Sequence, residues 1–559
     1  MRRVLNAATV AAILVAVVLA APASLTGLAG TLPRGVGLGE WTQDVEAAAP
    51  AITVEANNVT SSIGTYFYGT NLTPYLGPQM TTDPSYIAKA IPQHYGLIRV
   101  PGGSEGDTYD WWTAKSYLGV PEGRVSPHID DFAKFAEAVG GQLDIIVNYG
   151  TGTPLEAANW VEYANAPVPT SGTEGWTVNS YTGDQAAPKG YFAWLRAQRG
   201  HPAPYGVKYW EVGNEIYGGW EPDNYTNHDP VAYANRYLEY YNAMKAVDPT
   251  IKIGAVIDPG DWWPNKWNEN LLRTLSQKGP DKVDFFVVHW YNYWDHSHPL
   301  DTAEVQRFLD NTDFPKRFAD QILRPLIAKY LPGQASRIEI TLTEWGPNSS
   351  WPDAWEGYQI WSNLWTLLVL AESLQAGYSF TNYWNFAQGD TPYSLVDPNY
   401  KVGPIYWAFD LMTHFGRGGD NLVAASSEEP QLKVYASRLK DGTLSLLVVN
   451  KSPSDIAATV NLTDFAPRGD GVLWQYDRTL SGVDNTVRTA QMQTPPAQYA
   501  LNGIGASFTR TFPGYSASVI VLPMQGGTWT PPPPRGDRPY VPSDLPNKLY
   551  FPIMALWRP

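Results

Sequence analysis

YWEVGNEIYG, residues 209–218, is an apolar run that ends in Asn214 and Glu215. A second run of the same design, IEITLTEWG at residues 338–346, carries Glu344 near its end. Short and nearly continuous apolar runs are typical of parallel strands that are covered on both faces. In a barrel of such strands, functional groups lie at the carboxyl ends. The two glutamates are therefore expected at one mouth of a parallel barrel.

Apolar runs and amphipathic segments alternate regularly around these two segments. The helical patterns are clearest at His128–Val139, Pro154–Tyr163, Val231–Val247, Phe314–Tyr330 and Ala354–Ala376. The candidate strands are Tyr66–Gly69, Leu97–Pro101, Leu143–Tyr149, Val207–Gly213, Ile251–Ile257, Val283–Trp290, Arg337–Trp345 and Tyr378–Phe386. Eight such units fit a (β/α)8 TIM barrel over residues 65–420 better than a six-stranded doubly wound sheet. Glu215 then ends the fourth strand and Glu344 the seventh.

From Asn421 the pattern changes to short strands with alternating polarity. The candidates are Gln431–Ser437, Leu444–Asn450, Ala457–Leu462, Gly471–Tyr476, Ala506–Thr511 and Ala517–Leu522. This pattern predicts an antiparallel β-sandwich over residues 421–525. We expect residues 51–64 to contribute a further strand to it.

The two ends of the chain have distinct compositions. Arg2 and Arg3 precede an apolar stretch and a small-residue site at Ala21–Ala23, which predicts a signal peptide over residues 1–23 and a leader over 24–50. An uncleaved membrane anchor is the alternative. Residues 526–559 combine a proline run with an apolar end, which indicates either a spacer with a surface-retention tag or a disordered tail. The expected location is secreted or at the cell surface, with cell-surface association through this tail.

Composition excludes several classes of function. The net charge is −15, which argues against a nucleic acid or an anionic membrane as partner. The absence of cysteine removes disulfides, thiolate catalysis and cysteine metal sites. His289, Asp295, His296 and His298 lie close in sequence but lack the carboxylate frame of a catalytic zinc site. No phosphate loop or nucleotide fingerprint is present, which argues against a nucleotide or dinucleotide cofactor.

Two carboxyl groups across a barrel mouth suit glycoside hydrolysis, in which one protonates the leaving oxygen and the other attacks the anomeric carbon. Asn214 can donate to a sugar hydroxyl beside Glu215, and an acid needs a raised pKa. We therefore expect Glu215 to be the acid/base, with a raised pKa, and Glu344 to be the ionised nucleophile.

Several short motifs carry a family resemblance. They are RVPGG at 99–103, VNYGTGTP at 147–154, GNE at 213–215, HWY at 289–291 and TEW at 343–345. In this order they resemble glycoside hydrolase family 51, the clan A α-L-arabinofuranosidases. The resemblance implies a retaining double displacement without metal or cofactor, acting on a polysaccharide or oligosaccharide of plant cell walls.

The resemblance also implies supporting roles. Arg99 would orient the nucleophile, His289 and Tyr291 would hold Glu344 and the sugar, and Asn148 would reach sugar hydroxyls. The side chains of Trp345 and Asn385 are further candidates for sugar contact. Asn71 stands where the family commonly carries an acidic residue, so a β-xylosidase or an endo-β-glucanase of the same clan stays open. A non-catalytic carbohydrate-binding surface protein is the alternative from a different class.

Overall fold

The computed structural model describes residues 49–74, 77, 79–116, 126–260, 265–292, 302–347, 358–389, 391–482 and 487–530. The predicted signal peptide, nearly all of the leader and most of the C-terminal tail lie outside these residues. Among the described helices, none is both long and apolar enough to cross a membrane.

Eight parallel strands form a closed barrel in chain order. The first strand of the chain, β1 (Ala51–Ser62), belongs to a second sheet. The barrel strands are β2 (Tyr68–Asn71), β3 (Leu97–Val100), β4 (Gln142–Val147), β5 (Tyr209–Val212), β6 (Lys252–Ile257), β7 (Phe285–Tyr291), β8 (Glu339–Gly346) and β9 (Thr381–Tyr383). Each predicted strand overlaps one of them. The fourth and seventh strands are β5 and β8, and these carry the GNE and TEW motifs.

Helices connect the barrel strands, and several begin with a proline and a capping side chain. Thr153 accepts a hydrogen bond from the backbone N–H of Glu156 at such a start, and Asp229 accepts from Val231 and Ala232 at another. The helices are α1 (Gln79–Thr82), α2 (Pro84–Ala90), α3 (Ile129–Val139), α4 (Pro154–Asn165), α5 (Tyr191–Gln198), α6 (Pro230–Val247), α7 (Trp267–Lys278), α8 (Thr302–Asp310), α9 (Phe314–Phe318), α10 (Arg324–Tyr330), α11 (Ile360–Gln375), α12 (Pro404–Phe415) and α13 (Arg478–Ser481).

The helix predicted over Phe314–Tyr330 is interrupted. A π-helical turn, Ala319–Leu323, lies between α9 and α10. Pro325 follows this turn and has no N–H to continue the regular ladder, so the wider turn accommodates the break.

A nine-stranded sheet follows the barrel and includes β1. Its order is β15-β14-β17-β12-β11-β10-β1-β13-β16, and every pairing is antiparallel except that of β1 with β13. The later strands are β10 (Asn421–Ser427), β11 (Leu432–Arg438), β12 (Leu444–Asn450), β13 (Ile456–Thr463), β14 (Asp470–Asp477), β15 (Ala497–Asn502), β16 (Ser507–Phe512) and β17 (Ser516–Leu522). The predicted fold class, a TIM barrel followed by a sandwich-type β domain, is confirmed.

Alternating residues of this sheet enter two different cores. Leu446 and Val448 of β12 pack with the apolar interior of the sheet domain, whereas Leu447 and Val449 belong to the apolar cluster of the barrel and its helices. Successive side chains of a strand point to opposite faces, so one strand serves both cores. The sheet is therefore packed directly on the barrel.

The segment between β14 and β15 also contacts a loop that starts at the barrel mouth. The Arg488 guanidinium donates to the backbone oxygen of Thr391 at 3.0 Å, and also to that of Ser394. Trp407 donates through its indole N–H to the backbone oxygen of Met492 at 2.7 Å. The loop between β9 and α12 is thus held by the sheet domain as well as by the barrel.

Candidate active site

Glu215 lies in a sharp turn directly after β5. Its φ is 41°, in the left-handed region, and the preceding Gly213 has φ 82°. For a residue with a Cβ this conformation costs on the order of 1–3 kcal/mol and persists only where the surroundings impose it. The backbone N–H of Gly218 donates to the Glu215 carbonyl at 2.7 Å and closes the turn. The turn directs the Glu215 carboxyl toward His289 of β7, whose Nδ1 lies 2.9 Å from Oε1.

Glu344 lies on β8 beside His289 in the strand register. Its Oε1 accepts a hydrogen bond from the Tyr291 hydroxyl at 2.7 Å, and its Oε2 accepts from Nη1 of Arg99 at 3.1 Å. One oxygen of Glu215, one oxygen of Glu344 and a ring nitrogen of His289 all lie within 4.8 Å of one another. The two glutamates therefore face each other across a narrow space at the end of the barrel.

Arg99 of β3 joins most of the site residues through its buried guanidinium. Its Nε and Nη2 lie 2.9 Å and 2.8 Å from Oε2 of Glu211. Its other partners are Asn71 Oδ1 at 2.9 Å, Asn214 Oδ1 at 2.9 Å, Glu344 Oε2 at 3.1 Å and His289 Nε2 at 3.3 Å. A guanidinium has five donors in a fixed plane, so this arrangement fixes the positions of both the nucleophile and the His289 ring.

The hydrogen-bond network assigns the tautomer of His289. Arg99 has donors only, so the His289 Nε2 that faces it must accept. The proton of a neutral ring then lies on Nδ1, which donates to Oε1 of Glu215. His289 thus links the charge of Arg99 to the acid/base candidate.

In the free protein, the pKa values of Glu215 and Glu344 are shifted in directions that differ from those expected from the sequence. Burial raises the pKa of Glu215, but hydrogen bonds from His289, Trp220 and Tyr217 outweigh it, and the pKa lies below its ordinary value. Burial raises the pKa of Glu344, the charge of Glu215 adds to this, and the net direction is upward despite His289, Arg99 and Tyr291. The expected raised pKa of Glu215 is therefore wrong for the free protein. The donors around Glu215 are the reason.

A further buried carboxyl group, that of Asp144, lies on the strand next to Arg99, beside it in the register. Asp144 of β4 is fully buried and accepts a hydrogen bond from Asn382 of β9 at 2.9 Å. Burial and the charge of Glu211 raise the pKa of Asp144 well above its ordinary value. Arg99 and Glu211, in contrast, form a buried ion pair.

Replacing Arg99 with methionine is expected to lower the free energy of unfolding by about 3–5 kcal/mol, because the Glu211 carboxylate is left buried without a cation. Urea denaturation followed by circular dichroism measures this loss. The double variant Arg99→Met/Glu211→Leu removes both charges and should recover most of the stability. Equal stability of Arg99→Met and the wild type would contradict the assigned ion pair.

Asn71 and Asn214 are placed as supports of the site. The Asn71 amide donates to the backbone oxygens of Thr343 and Asn382, at 2.9 Å and 3.0 Å, while its own oxygen receives Arg99. Asn214 accepts from Arg99 and donates to Glu221 Oε1 at 2.9 Å. Both side chains are almost completely buried and committed to protein partners.

Asn148 and Asn385 lie in loops at the barrel mouth but have no contact with the two glutamates among the described interactions. Asn148 Oδ1 accepts from the backbone N–H groups of Thr151 and Gly152, at 3.0 Å and 2.9 Å. Asn385 is fully buried and bonds to Gln388 and Ser394. Both side chains shape the loops that follow their strands.

The expectation that Trp345 contacts sugar needs correction. Its ring is fully buried and packs against Trp365, Tyr383 and Phe409, on the helix side of β8. Because side chains alternate along a strand, the direction of Glu344 into the mouth sends its neighbour the other way. Trp345 is a core residue.

Glu211, Trp220 and Glu221 were not singled out by the sequence motifs. Trp220 donates through Nε1 to Glu215 Oε2 at 3.0 Å, and the residue as a whole is 58% exposed. Glu221 accepts from Ser104 at 2.7 Å, and burial together with the charge of Glu215 raises its pKa to about 8. The available signal was a charged residue inside an apolar strand for Glu211, and proximity to GNE for the other two.

The side chains of Glu215, His289 and Glu344 are also close enough to one another to hold a metal ion. The Arg99 guanidinium lies within 3.3 Å of both His289 and Glu344, and this fixed positive charge disfavours a cation there. Asp295, His296 and His298 lie outside the described residues.

The fold and site define a class of protein: a TIM barrel with glutamates at the ends of the fourth and seventh strands. Residues 94–298 match the family described as "Alpha-L-arabinofuranosidase 1 domain". Alpha-L-arabinofuranosidase C of Emericella nidulans is 28% identical over 215 residues, which are 35% of this chain and 37% of that protein. The chain thus spans 37% of the length of this curated relative. Probable alpha-L-arabinofuranosidase C of Aspergillus fumigatus is 25% identical over 432 residues, 67% of this chain and 78% of that protein.

Solved structures share the fold. The arabinose complex of the alpha-L-arabinofuranosidase from Thermotoga maritima has a TM-score of 0.65 at 22% identity, covering 85% of this chain and 99% of its own. A family 44 xyloglucanase from Paenibacillus polymyxa has a TM-score of 0.59 at 17% identity, covering 85% and 100%. The predicted resemblance to the family 51 arabinofuranosidases is thus confirmed.

Proposed function

We propose that the protein is a secreted retaining glycoside hydrolase with α-L-arabinofuranosidase activity on polysaccharides of plant cell walls. The observation that carries the proposal is the pair of glutamates with carboxyl oxygens within 4.8 Å. Retaining enzymes hold their carboxyl groups about 5–5.5 Å apart, whereas inverting enzymes need about 6.5–9.5 Å to admit a water between them. The observed spacing supports covalent catalysis.

The geometry allows a division of labour in a double displacement. Glu344, held by Arg99 and Tyr291, attacks the anomeric carbon while Glu215 gives its proton to the glycosidic oxygen. The aglycone leaves as an alcohol and the sugar stays on Glu344 as an ester. Glu215 then takes a proton from water, which attacks the anomeric carbon and releases the sugar with its original configuration.

The arabinofuranoside specificity rests on the relatives from Emericella nidulans and Aspergillus fumigatus, which are named as an arabinofuranosidase and a probable arabinofuranosidase. One observation favours a second candidate, a β-xylosidase or endo-β-glucanase. Asn71 occupies the position where the family commonly has an acid, and it is turned to Arg99 and the backbone. Export rests on the arginine pair, the apolar stretch and the small residues before residue 24.

Hydrolysis of 4-nitrophenyl α-L-arabinofuranoside, followed by proton NMR within the first turnovers, tests the proposal. We expect the α-anomer of arabinose to appear first, before mutarotation. The matching β-xyloside and a β-glucan polymer separate the second candidate. First appearance of the β-anomer would contradict retention, and no turnover of any of the three substrates would contradict glycosidase function.

A further inference from the structure

The left-handed backbone at Glu215 is held by hydrogen bonds on both sides. After it, the N–H of Gly218 closes the turn on the Glu215 carbonyl at 2.7 Å. Before it, the N–H of Asn214 donates to Oδ2 of Asp107 at 3.0 Å. Asp107 does not belong to this turn, because it lies in the short helical turn Gly103–Asp107 that follows β3. A side chain from another loop therefore takes part in fixing the backbone at the acid/base candidate.

Asp107 is completely buried and connects three loops of the barrel mouth. Its carboxyl group reaches the turn after β5, and its backbone oxygen accepts the N–H of Thr151, in the loop after β4, at 3.1 Å. Gly213 leaves the space that the carboxyl group fills, because a Cβ there would lie 3.1 Å from Oδ1. The position of Asp107 is thus set by the loops after β3, β4 and β5 together.

The hydrogen bonds of the Asp107 carboxyl group point to a role at the turn. Among the residues that the structure describes, Oδ1 is buried without a hydrogen-bond partner, and Oδ2 is bonded to the backbone of Asn214. A buried polar atom without a partner lowers stability. The Asn214 side chain is bonded elsewhere, to Arg99 and Glu221, so these two residues hold the amide and Asp107 holds the backbone.

We infer that Asp107 is a positioning residue for the acid/base, whose carboxyl group holds the Asn214 N–H and so keeps the Glu215 carboxyl group aimed at the leaving oxygen. This inference rests on the proposed glycosidase function. Because Asp107 is completely buried, it acts through the backbone and not on the sugar.

The strained backbone gives the physical reason for such a residue. A left-handed conformation at a residue with a Cβ persists only where the surroundings impose it. Without Asp107, the peptide group between Gly213 and Asn214 can rotate, and Glu215 can relax to an ordinary conformation. A general acid must lie within hydrogen-bond reach of the leaving oxygen, and a displacement of about 1 Å can cost about 100-fold in rate.

The contact between Asp107 and Asn214 does not need a charged carboxyl group. Burial and the charge of Glu221 raise the pKa of Asp107, the N–H of Asn214 lowers it, and the net direction is upward. A carboxyl group offers an oxygen acceptor in both protonation states, and so does a side-chain amide. Asp107→Asn should therefore hold the turn, whereas Asp107→Ala should not.

The test compares Asp107→Ala with the wild type on an arabino-oligosaccharide and on 4-nitrophenyl α-L-arabinofuranoside. The kcat/KM for the oligosaccharide should fall by about 100-fold, because its leaving alkoxide needs a well-placed proton. The kcat/KM for the nitrophenyl substrate, whose leaving group is stable as an anion, should fall by less than about 10-fold. The ratio of the two values is the readout, since it does not depend on the fraction of folded enzyme.

Three further variants keep the result interpretable. Asp107→Asn should keep the ratio within about threefold of the wild type. Asp107→Ser, whose hydroxyl ends one bond short of Oδ2, should change the ratio in the same direction as Asp107→Ala and serves if that variant does not fold. Asp397→Ala is the matched control, because Asp397 is also buried and accepts the N–H groups of Asn399 and Lys401, at 2.8 Å and 2.7 Å, in the loop after β9. It should lower the melting temperature and leave the ratio unchanged.

The outcomes separate this inference from the proposed function. An unchanged ratio in both Asp107→Ala and Asp107→Ser, or an equal change in Asp107→Asn and Asp107→Ala, overturns the inference while an active wild type leaves the proposed function intact. An inactive wild type overturns the proposed function and the inference with it.

Discussion

Glu344→Ala is expected to lower kcat by at least about 10⁴-fold, because the covalent intermediate cannot form without the attacking carboxylate. The alanine leaves a space beside the anomeric carbon that Arg99 and Tyr291 still border. Sodium azide should therefore restore part of the turnover by attacking from this side. The product of that attack is a glycosyl azide of inverted configuration, which NMR identifies.

The thermal stability of Glu344→Ala is the control for this prediction. Arg99 keeps its ion pair with Glu211 when Glu344 is removed, so the unfolding transition should stay within a few degrees of the wild type. Tyr291→Phe, which removes one donor to the same carboxyl, should cause a smaller loss of kcat, about 10–100-fold. If Glu344→Ala retains turnover, or if azide yields a product of retained configuration, another residue is the nucleophile.

The barrel was predictable because its strands are short, buried on both faces and separated by capped helices. The segment around Glu215 shows this best, since an apolar strand ends directly at the functional pair. The sequence pattern does not predict β10 and β15, because these strands are less apolar or more exposed than the barrel strands. β10 reads NLVAASS, with small polar residues at one end, and β15 is largely exposed at an edge of its sheet.

The support of the site was harder to predict than the pair of glutamates. Arg99 and Glu211 lie on β3 and β5, with β4 between them, and only the closed barrel brings their side chains together across its interior. Trp345 shows a case where more could have been predicted. The alternation of side chains along a strand already excludes that Glu344 and Trp345 both face the mouth.

The pKa of Glu215 is lowered first by His289, which lies in the HWY motif, and then by Trp220, which lies outside the motifs. A resemblance that places the acid after the fourth strand predicts its role, but the donor at Oε2 comes from five residues further along a turn with left-handed backbone at Glu215. The sequence therefore predicted the pair of glutamates but not the direction of the pKa shift of Glu215 in the free protein, because that direction depends on donors from both β7 and the turn.

Glu215→Ala is expected to distinguish substrates by their leaving groups. With a sugar as the leaving group, kcat/KM should fall by about 10²–10⁴-fold, since the departing alkoxide needs a proton. With 4-nitrophenolate, which is stable as an anion, the first step should change by less than about 10-fold. The second step still lacks its base, so kcat falls, the glycosyl-enzyme accumulates, and a rapid burst of nitrophenolate precedes slow turnover.

Azide also identifies the face of attack in Glu215→Ala. We expect retention of configuration in this variant, in contrast to the inversion expected in Glu344→Ala. In Glu215→Ala the intermediate on Glu344 forms first, and azide then enters from the side that Glu215 vacated, so the glycosyl azide retains its configuration.

Glu221→Gln is the matched control, because Glu221 is the neighbouring buried carboxyl with a pKa raised to about 8. Glu221→Gln should keep activity close to that of the wild type on both substrates, so that the dependence on the leaving group appears in Glu215→Ala alone. Two outcomes would indicate that Glu221 is the acid: equal losses on both substrates in Glu215→Ala, or a burst that appears only in Glu221→Gln. Glu221 is the alternative because it accepts a hydrogen bond from Asn214, the residue next to Glu215.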